Sequence, residues 1–564
     1  MEKKLNRKVI VSALLICAAV MLAMGYFIAI RRIGWGRVQN ALEPAPPPVS
    51  ELYIPENNDT QFVEISDLDR KSLPERYRLP GLSRMEETER ETLVDAMQSI
   101  RRVGVLGLDV NSFAYPEAQY KLLYNSVRTI LDGSLSQGEI VSFNGSRVSE
   151  LNSFLKENTG KTVVVSSKEL TADDTLLVPS DVNLEGNGTR LVSDGAEHDK
   201  AILLDHAENV RVAGFILQGG FNYGLYVKHS HVFSLEDNDV TGMGIKGAVI
   251  IGDNRNFYVK RNNLSANGDG GLYIDGNVSE GVIEDNRITG NMGAANLSAG
   301  MVLSSIDVKD DNTAWNPWED IYIYDMVVSP HNLVIIDNTV SGNRSSGCYS
   351  HAGYCNYFIQ NKIIKNEKEG MCLDYGTLGT YVAYNTIRGN GGRYRMTDED
   401  LTRDFIGEFG RLEDGSSPAK LPGISLDNSS YNTIYNNLIL ENYGTGVKAV
   451  RSSYRNTILC NEITDNTRGV SDTFHFFGVE LATDMNADEE VKGLDFTPCY
   501  ENIIARNTIS GAHFSGIFYG VDAYVNDSFD NVIMGATDWA IESLTNRFNS
   551  VINNPCDRGS LGIN

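Results

Sequence analysis

The chain has 564 residues, of which 41% are hydrophobic, and it contains 26 Tyr and 20 Phe, enough for a sizeable core. Its 74 acidic and 49 basic residues give a formal net charge of −25, which repels nucleic acid phosphates and anionic lipid surfaces. Composition and charge therefore exclude wholesale disorder and argue against a nucleic acid partner.

The N-terminal residues predict a membrane anchor. The run Val9 to Ile30 has no charged side chain and is about as long as the ~20 residues that cross a bilayer. A cleaved signal peptide is the alternative, but the run is long for one and lacks a small-x-small cleavage site. Because basic residues flank the run on both sides, the charge rule favours a cytoplasmic N-terminus only slightly. We expect a single-pass membrane protein with a cytoplasmic tail (1–8), a transmembrane helix (9–30) and a Pro-rich linker (31–50), and with the remaining domains outside the cytoplasm.

Residues 51–159 predict a helical stalk or cap region. Three segments in it have the apolar spacing of helices, at Glu86 to Arg102, Pro116 to Leu131 and Ser146 to Asn158. None of them carries a catalytic pattern. The third segment is followed at once by β-rich sequence and could cap its end.

From residue 160 to residue 555 the chain repeats a glycine followed by alternating apolar residues, and residues 556–564 form a short tail. Where no insertion intervenes, the spacing is 23 or 24 residues, as between Gly347 and Gly370. Most copies also carry an Asn before an apolar or β-branched residue, as at Asn361 and Asn385. Asn tolerates the backbone of a tight corner, and its amide can bond to the amide one copy above. A unit this short cannot enclose a core alone, so successive copies must stack as coils.

These glycine and asparagine repeats resemble the right-handed parallel β-helix proteins, the superfamily that includes pectate lyases, polygalacturonases and alginate-modifying enzymes. The resemblance implies an all-β fold with one right-handed parallel β-helix, and a substrate groove along the strand after the third corner. The repeated glycine strand occupies that place. The catalytic patterns of polygalacturonases and mannuronan epimerases are not present, so no activity is carried over.

Stacking places residues at equal distance from the repeated glycine in columns about 4.8 Å apart per coil. The first and third positions after the glycine are apolar and predict the inward face, so the second and fourth positions point outward. At the fourth position, His351, Asp374 and Asp427 fall on three successive coils. Tyr349 stands beside them at the second position, where Lys448 and Glu480 follow on the next two coils.

Two long insertions, 391–422 and 483–498, would lie beside this column. Long loops on a rigid scaffold often carry binding residues. The first insertion supplies Arg393, Arg395 and Lys420, which we predict to bind substrate together with Tyr349 and Glu480.

Two kinds of chemistry fit the column. Hydrolysis of a glycosidic bond needs one protonated and one ionised carboxyl, and neighbouring Asp374 and Asp427 are expected to separate each other's pKa values in that way. β-Elimination of a uronate chain needs a base, for which His351 or Lys448 are candidates, and a proton donor such as Tyr349. Asp374, Asp427 and Glu480 could hold Ca²⁺. The competing interpretation is that these acids are only solvated on an outer face.

The sequence therefore predicts a membrane-anchored protein that acts on a polysaccharide outside the cytoplasm. The leading hypothesis is cleavage of glycosidic bonds, by a lyase or a hydrolase, with His351, Asp374, Asp427 and Lys448 as catalytic candidates. A glycan-binding or adhesion protein without catalysis is the alternative from another class. A polysaccharide epimerase is the third hypothesis.

Overall fold

The computed structural model describes most of the chain from residue 114 onward, and all of it belongs to the compact unit Tyr53–Asn564. The described ranges are 114–135, 138–195, 198–305, 329–374, 376–392, 421–451, 453–466, 476–482, 499–511, 513–520, 523–544, 549–557 and 561–563. The predicted tail, anchor and linker and the segment Glu86 to Arg102 lie outside them. Within these ranges no helix is both long and apolar enough to cross a membrane.

Two helices precede or interrupt the first strands. Helix α1 (Ala114–Ser134) and helix α2 (Val148–Glu157) form where the apolar spacing predicts helices. Helix α2 buries Val148, Leu151 and Leu155 in the same core as the first strands. It thus shields the apolar end of the solenoid, which would otherwise meet water. A 3-10 turn, Asn296–Ser298, lies in a later corner.

The strands stack as parallel ladders on three faces of a solenoid. The face that carries the repeated glycine, here called the glycine face, is a sheet of 14 strands. Strand pairing begins at Ile140, N-terminal to residue 160 where the repeat begins in the sequence. The strands of the glycine face are Leu176–Leu177, His198–Asp205, Phe221–Lys228, Lys246–Ile251, Gly270–Asp275, Met301–Ser304, Cys348–His351, Met371–Asp374, Ile424–Asp427, Val447–Val450, Phe477–Leu481, Ser515–Tyr519, Trp539–Ser543 and Leu561–Ile563.

A second sheet of 26 strands covers the other two faces. It is continuous because two early strands, Asn183–Ser193 and Glu208–Gln218, each pair on both faces. The other strands of the second face are Ile140–Phe143, Thr162–Val165, His231–Glu236, Asn254–Lys260, Val278–Glu284, His331–Ile336, Tyr357–Ile359, Tyr381–Ala383, Thr433–Tyr435, Thr457–Leu459, Ile503–Ala505, Asp527–Phe529 and Ser550–Ile552. Those of the third face are Glu169–Ala172, Asp239–Thr241, Asn263–Ser265, Arg287–Thr289, Thr339–Ser341, Lys362–Ile364, Thr386–Arg388, Leu438–Leu440, Glu462–Thr464, Thr508–Ser510 and Val532–Met534. A separate pair, Cys499–Tyr500 and Ala523–Tyr524, lies at a corner.

The predicted inward positions of the glycine face form the core. Met371 pairs with Ile424 and Leu373 with Leu426 in parallel register, and all four side chains are buried in one continuous apolar cluster. The period of 23 or 24 residues therefore sets the register, since one copy of the repeat makes one turn of the solenoid.

Ladders of buried asparagine join the coils at the corners, as the sequence predicts. Between the second and third faces, Nδ2 of Asn361 donates to Oδ1 of Asn385 at 3.0 Å. Asn385 in turn donates to Asn437 at 3.0 Å. Two further ladders, which the sequence analysis did not separate, run through the other corners, for example from Asn366 to Asn390 and from Asn432 to Asn456. These bonds satisfy polar groups that have little access to water.

The repeated glycine is required by a close approach and not by an unusual backbone angle. A Cβ added at Gly370 would lie 2.6 Å from Cγ2 of Ile387, 2.7 Å from the carbonyl oxygen of Gly423 and 2.8 Å from Nδ2 of Asn390. The glycine thus leaves room for the asparagine ladder and for the next strand.

We expect Gly370→Ala to lower the free energy of unfolding by about 3 kcal/mol, the upper part of the usual cost of overpacking. The reason is that two of the three contacted atoms belong to the backbone or to a hydrogen-bonded ladder. Urea unfolding followed by circular dichroism measures the change. Gly133→Ala in α1 is the control, because a Cβ there meets nothing within 4 Å; equal midpoints for the two variants would contradict this explanation.

Candidate functional site

The glycine face brings the predicted column together. His351 pairs with Asp374 across neighbouring strands, and Asp427 occupies the corresponding position of the next strand, beyond the pair Leu373 and Leu426. Tyr349 pairs with Cys372. All of these side chains point away from the core, because the residues that alternate with them form it.

A hydrogen bond links Tyr349, at the second position after the glycine, to Asp374, at the fourth position of the next coil. The hydroxyl of Tyr349 donates to Oδ2 of Asp374 at 2.9 Å. The rings of Tyr349 and His351 lie on one strand with their centroids 6.3 Å apart, and Nδ1 of His351 lies 3.5 Å from the hydroxyl of Ser305. A carboxylate, a phenol and an imidazole therefore share one small patch.

The patch is less exposed than an outer face was expected to be. Only 4% of Asp374 and 4% of Tyr349 are exposed to solvent, so Asp374 is not the solvated surface acid of the competing interpretation. Burial lowers the pKa of His351 to about 4, because the charged imidazolium loses hydration. The ring is thus neutral at neutral pH and can accept a proton.

Burial also acts on the thiol between these groups. It raises the pKa of Cys372, and the carboxylates of Asp374, Glu369 and Asp427 add to that effect. Cys372 is a buried thiol beside Tyr349. It contributes apolar surface to the floor of the patch, not a nucleophile, because the thiolate is the reactive form.

Asp427 has a basic partner that the sequence analysis did not include. Nη1 of Arg451 lies 3.4 Å from Oδ2 of Asp427. Arg451 follows the Val447–Val450 strand, one residue beyond the four positions that were compared. Its position in the sequence is plain, but its pairing with Asp427 does not follow from the alternation of a strand. The guanidinium and the carboxyl thus form an ion pair at the edge of the column.

Lys448 and Glu480 pair with each other. Their strands are in register, and Nζ of Lys448 lies 3.2 Å from Oε1 of Glu480. Oε2 of Glu480 also accepts a hydrogen bond of 2.9 Å from Thr445. The ion pair places Lys448 beside the column, two residues along the strand from it.

The register does not gather the three carboxylates of the tentative calcium site. Glu480 lies two strands beyond Asp427 and three beyond Asp374, which at ~4.8 Å per strand is too far for one shared ion. No group of three or more His, Cys, Asp or Glu side chains in the described ranges could hold a metal ion. The predicted subsite cations Arg393, Arg395 and Lys420 lie outside those ranges.

A related pair, which the sequence patterns did not single out, lies nearer the N-terminus of the glycine face. Tyr273 donates a hydrogen bond of 3.2 Å to Oδ2 of Asp275, and Nζ of Lys246 lies 4.8 Å from the centre of the Tyr273 ring. Asp275 belongs to the same outward position as Asp374, two strands earlier than His351. The signal was present in the alternation of Tyr and Asp in that strand.

Comparison with known proteins agrees with the fold. The family described as "Right handed beta helix region" matches residues 200–390 and 321–483, together just over half of the chain. The chain belongs to this right-handed β-helix family. No curated protein matches it in sequence.

Several solved structures are similar to this chain at low identity. The A-module of the Azotobacter vinelandii mannuronan C-5 epimerase AlgE6 is 14% identical, with 74% of this chain and 100% of that chain covered and a TM-score of 0.43. The periplasmic alginate epimerase AlgG is 13% identical, with 72% and 85% covered and a TM-score of 0.31. The Dettilon tailspike protein gp208 is 13% identical, with 72% and 68% covered and a TM-score of 0.42.

Proposed function

We propose that this protein cleaves a uronate-containing polysaccharide by β-elimination at the His351–Asp374 patch. The observation that carries the proposal is that a neutral imidazole and a phenol project from one strand, next to a carboxylate that the phenol bonds at 2.9 Å. Proton abstraction from carbon needs a base, and the cleaved bond needs a proton donor for its leaving oxygen.

The residues take distinct roles in this reaction. His351 accepts the proton from C5 of a uronate unit, the C4–O bond breaks, a double bond forms between C4 and C5, and Tyr349 donates its proton to the departing oxygen. Asp374 orients the hydroxyl of Tyr349 and accepts its hydrogen bond. Arg451 and Lys448 are cations at the Val447–Val450 strand, two strands beyond Asp374, where they can meet the carboxylates of neighbouring uronate units of the chain.

Hydrolysis is the second candidate, and a different observation favours it. Asp374 and Asp427 lie on neighbouring strands. Asp427 forms an ion pair with Arg451, whereas Asp374 accepts a hydrogen bond from Tyr349. The two carboxyls thus have different surroundings, which is what an acid and a base of a glycosidase require.

Assays with a panel of uronate and neutral polysaccharides distinguish these reactions. We expect reducing ends together with the ultraviolet absorbance of an unsaturated product, and we expect His351→Ala to abolish both while His231→Ala preserves them. Reducing ends without the absorbance would overturn elimination in favour of hydrolysis. Deuterium uptake at C5 without cleavage would show an epimerase, and binding with no product would show the glycan-binding alternative.

We further propose that residues 9–30 anchor the protein in a membrane, with the β-helix outside the cytoplasm. The uncharged run from Val9 to Ile30 supports this placement. Resistance to alkaline extraction, together with protease access to the β-helix from outside the cell, would test it. Release by alkaline extraction would exclude the anchor.

A further inference from the structure

The second face has buried outward side chains where the third face has exposed ones. On the third face, Leu438 is 41% exposed and Lys362 is exposed. On the second face, Leu459 is 4% exposed, Phe529 is 5% exposed and Ala505 is fully buried. All of them occupy outward positions, since the central residue of each of these short strands is the one in the core. The second face is therefore covered within a single chain.

Helix α1 covers the first half of this face. Tyr120, Val127 and Leu131 of α1 pack in one apolar cluster with outward residues such as Val282 and Val334 of the second face. Near the beginning of the helix, Glu117 accepts a hydrogen bond of 3.3 Å from the hydroxyl of Tyr384. The N-terminus of α1 thus lies at the coil that contains Tyr381–Ala383.

The apolar surface continues past that point. One outward column runs in register from Ala383 through Tyr435, Leu459, Ala505 and Phe529 to Ile552. Its Tyr435 belongs both to the cluster under α1 and to a second cluster that contains the later residues. Neither described helix packs on this later half, which we call the distal strip (Leu459, Ala505, Phe529 and Ile552).

We propose that residues 86–102 of the same chain form an amphipathic helix that docks on the distal strip in line with α1. The chain enters α1 at Ala114, beside the near end of the strip, and residues 103–113 can span up to ~36 Å. A helix of residues 86–102 is about 25 Å long, whereas the strip with Tyr435 extends over four strand spacings, ~19 Å. The helix is thus long enough to cover the strip and can reach it. The spacing of Leu93, Met97 and Ile100 gives the helix an apolar side that can pack on the strip.

This arrangement separates the two sides of the solenoid. Helices of the N-terminal region would cover the second face and leave the glycine face for substrate. A second copy of the chain is a poorer occupant, because Leu459, Ala505 and Phe529 of the distal strip are already buried within one chain.

Thiol labelling of the full chain tests the docking. Cys460 is a partly buried thiol packed against the distal strip, whereas Cys499 is buried in the core of the solenoid. Met97→Asp is expected to raise the labelling rate of Cys460 about tenfold, because it removes the apolar contact and frees the strip. Gln98→Asp introduces the same charge on the opposite side of the helix and is expected to leave the rate unchanged. Labelling is measured peptide by peptide with mass spectrometry.

Cys499 reports on the fold in the same experiment. It should remain unreactive in every variant, so that a gain at Cys460 reflects local release and not unfolding. Equal labelling of Cys460 in Met97→Asp and the unmodified protein would overturn the proposal. A labelling rate that depends on protein concentration would overturn it in favour of a second copy. If Met97→Asp also exposes Cys499, a second variant, Met97→Cys, tests the docking. We expect its new cysteine to form a disulfide with Cys460. Absence of this disulfide would overturn the docking.

Discussion

Replacing Asp374 with Asn is expected to lower the rate of polysaccharide cleavage by about 10²- to 10⁴-fold, the range of a group that supports proton transfer. An amide can turn its NH₂ group instead of its oxygen toward Tyr349, so it does not hold the hydroxyl in the one orientation that the carboxylate fixes. The measurement is the initial rate on the polysaccharide that the panel identifies, at saturating concentration. Since Asn has nearly the same volume as Asp, thermal unfolding should change little.

A matched control separates this effect from a general loss of acidic charge. Asp253 is exposed in the corner that follows the Lys246–Ile251 strand, and Asp253→Asn should keep the full rate. Tyr349→Phe should reduce the rate as well, because it removes the same hydrogen bond from the other side. A wild-type rate for Asp374→Asn would remove Asp374 from the mechanism, and with it the proposed site.

Replacing Asn385 with Ala is expected to lower the free energy of unfolding by about 3–5 kcal/mol. Nδ2 of Asn385 donates to Asn437 at 3.0 Å and to the carbonyl oxygen of Phe358 at 2.8 Å. Its Oδ1 accepts from both the backbone and the side-chain nitrogens of Asn361 at 2.8 and 3.0 Å. Alanine leaves these partners buried without a hydrogen bond, and each such group costs about 1–3 kcal/mol.

Urea unfolding measures this loss, with Asn222→Ala as the control. Asn222 also makes a side-chain hydrogen bond, of 3.1 Å to Asp199, but the bond is exposed and water can replace it. A control loss below about 1 kcal/mol is expected. If both variants lost the same free energy of unfolding, the buried asparagine ladder would contribute no more to stability than an exposed hydrogen bond.

A repeat sequence predicts the neighbours of Asp374 but not those of Arg451. Asp374 could be placed beside His351 and Asp427 without coordinates, because strands in one sheet of a solenoid repeat their register once per coil. Arg451 could not be paired with Asp427 in the same way. It follows the end of its strand in a left-handed backbone conformation, φ 49°, and the direction of a side chain at a corner does not follow the alternation of a strand.

Features that recur from one coil to the next could be predicted from the sequence, because stacking repeats them in register. The inward positions, the asparagine ladder and the column of His351, Asp374 and Asp427 all follow from the glycine spacing. What covers each face depends on contacts between distant parts of the fold. The packing of α1 on strands far along the chain, the burial of Asp374 and the ion pair of Arg451 with Asp427 depend on contacts that no repeat encodes. The repeat determines whether a side chain points inward or outward. Segments outside the repeat determine how far that side chain is exposed to water, and this exposure shifts the pKa of a titratable group.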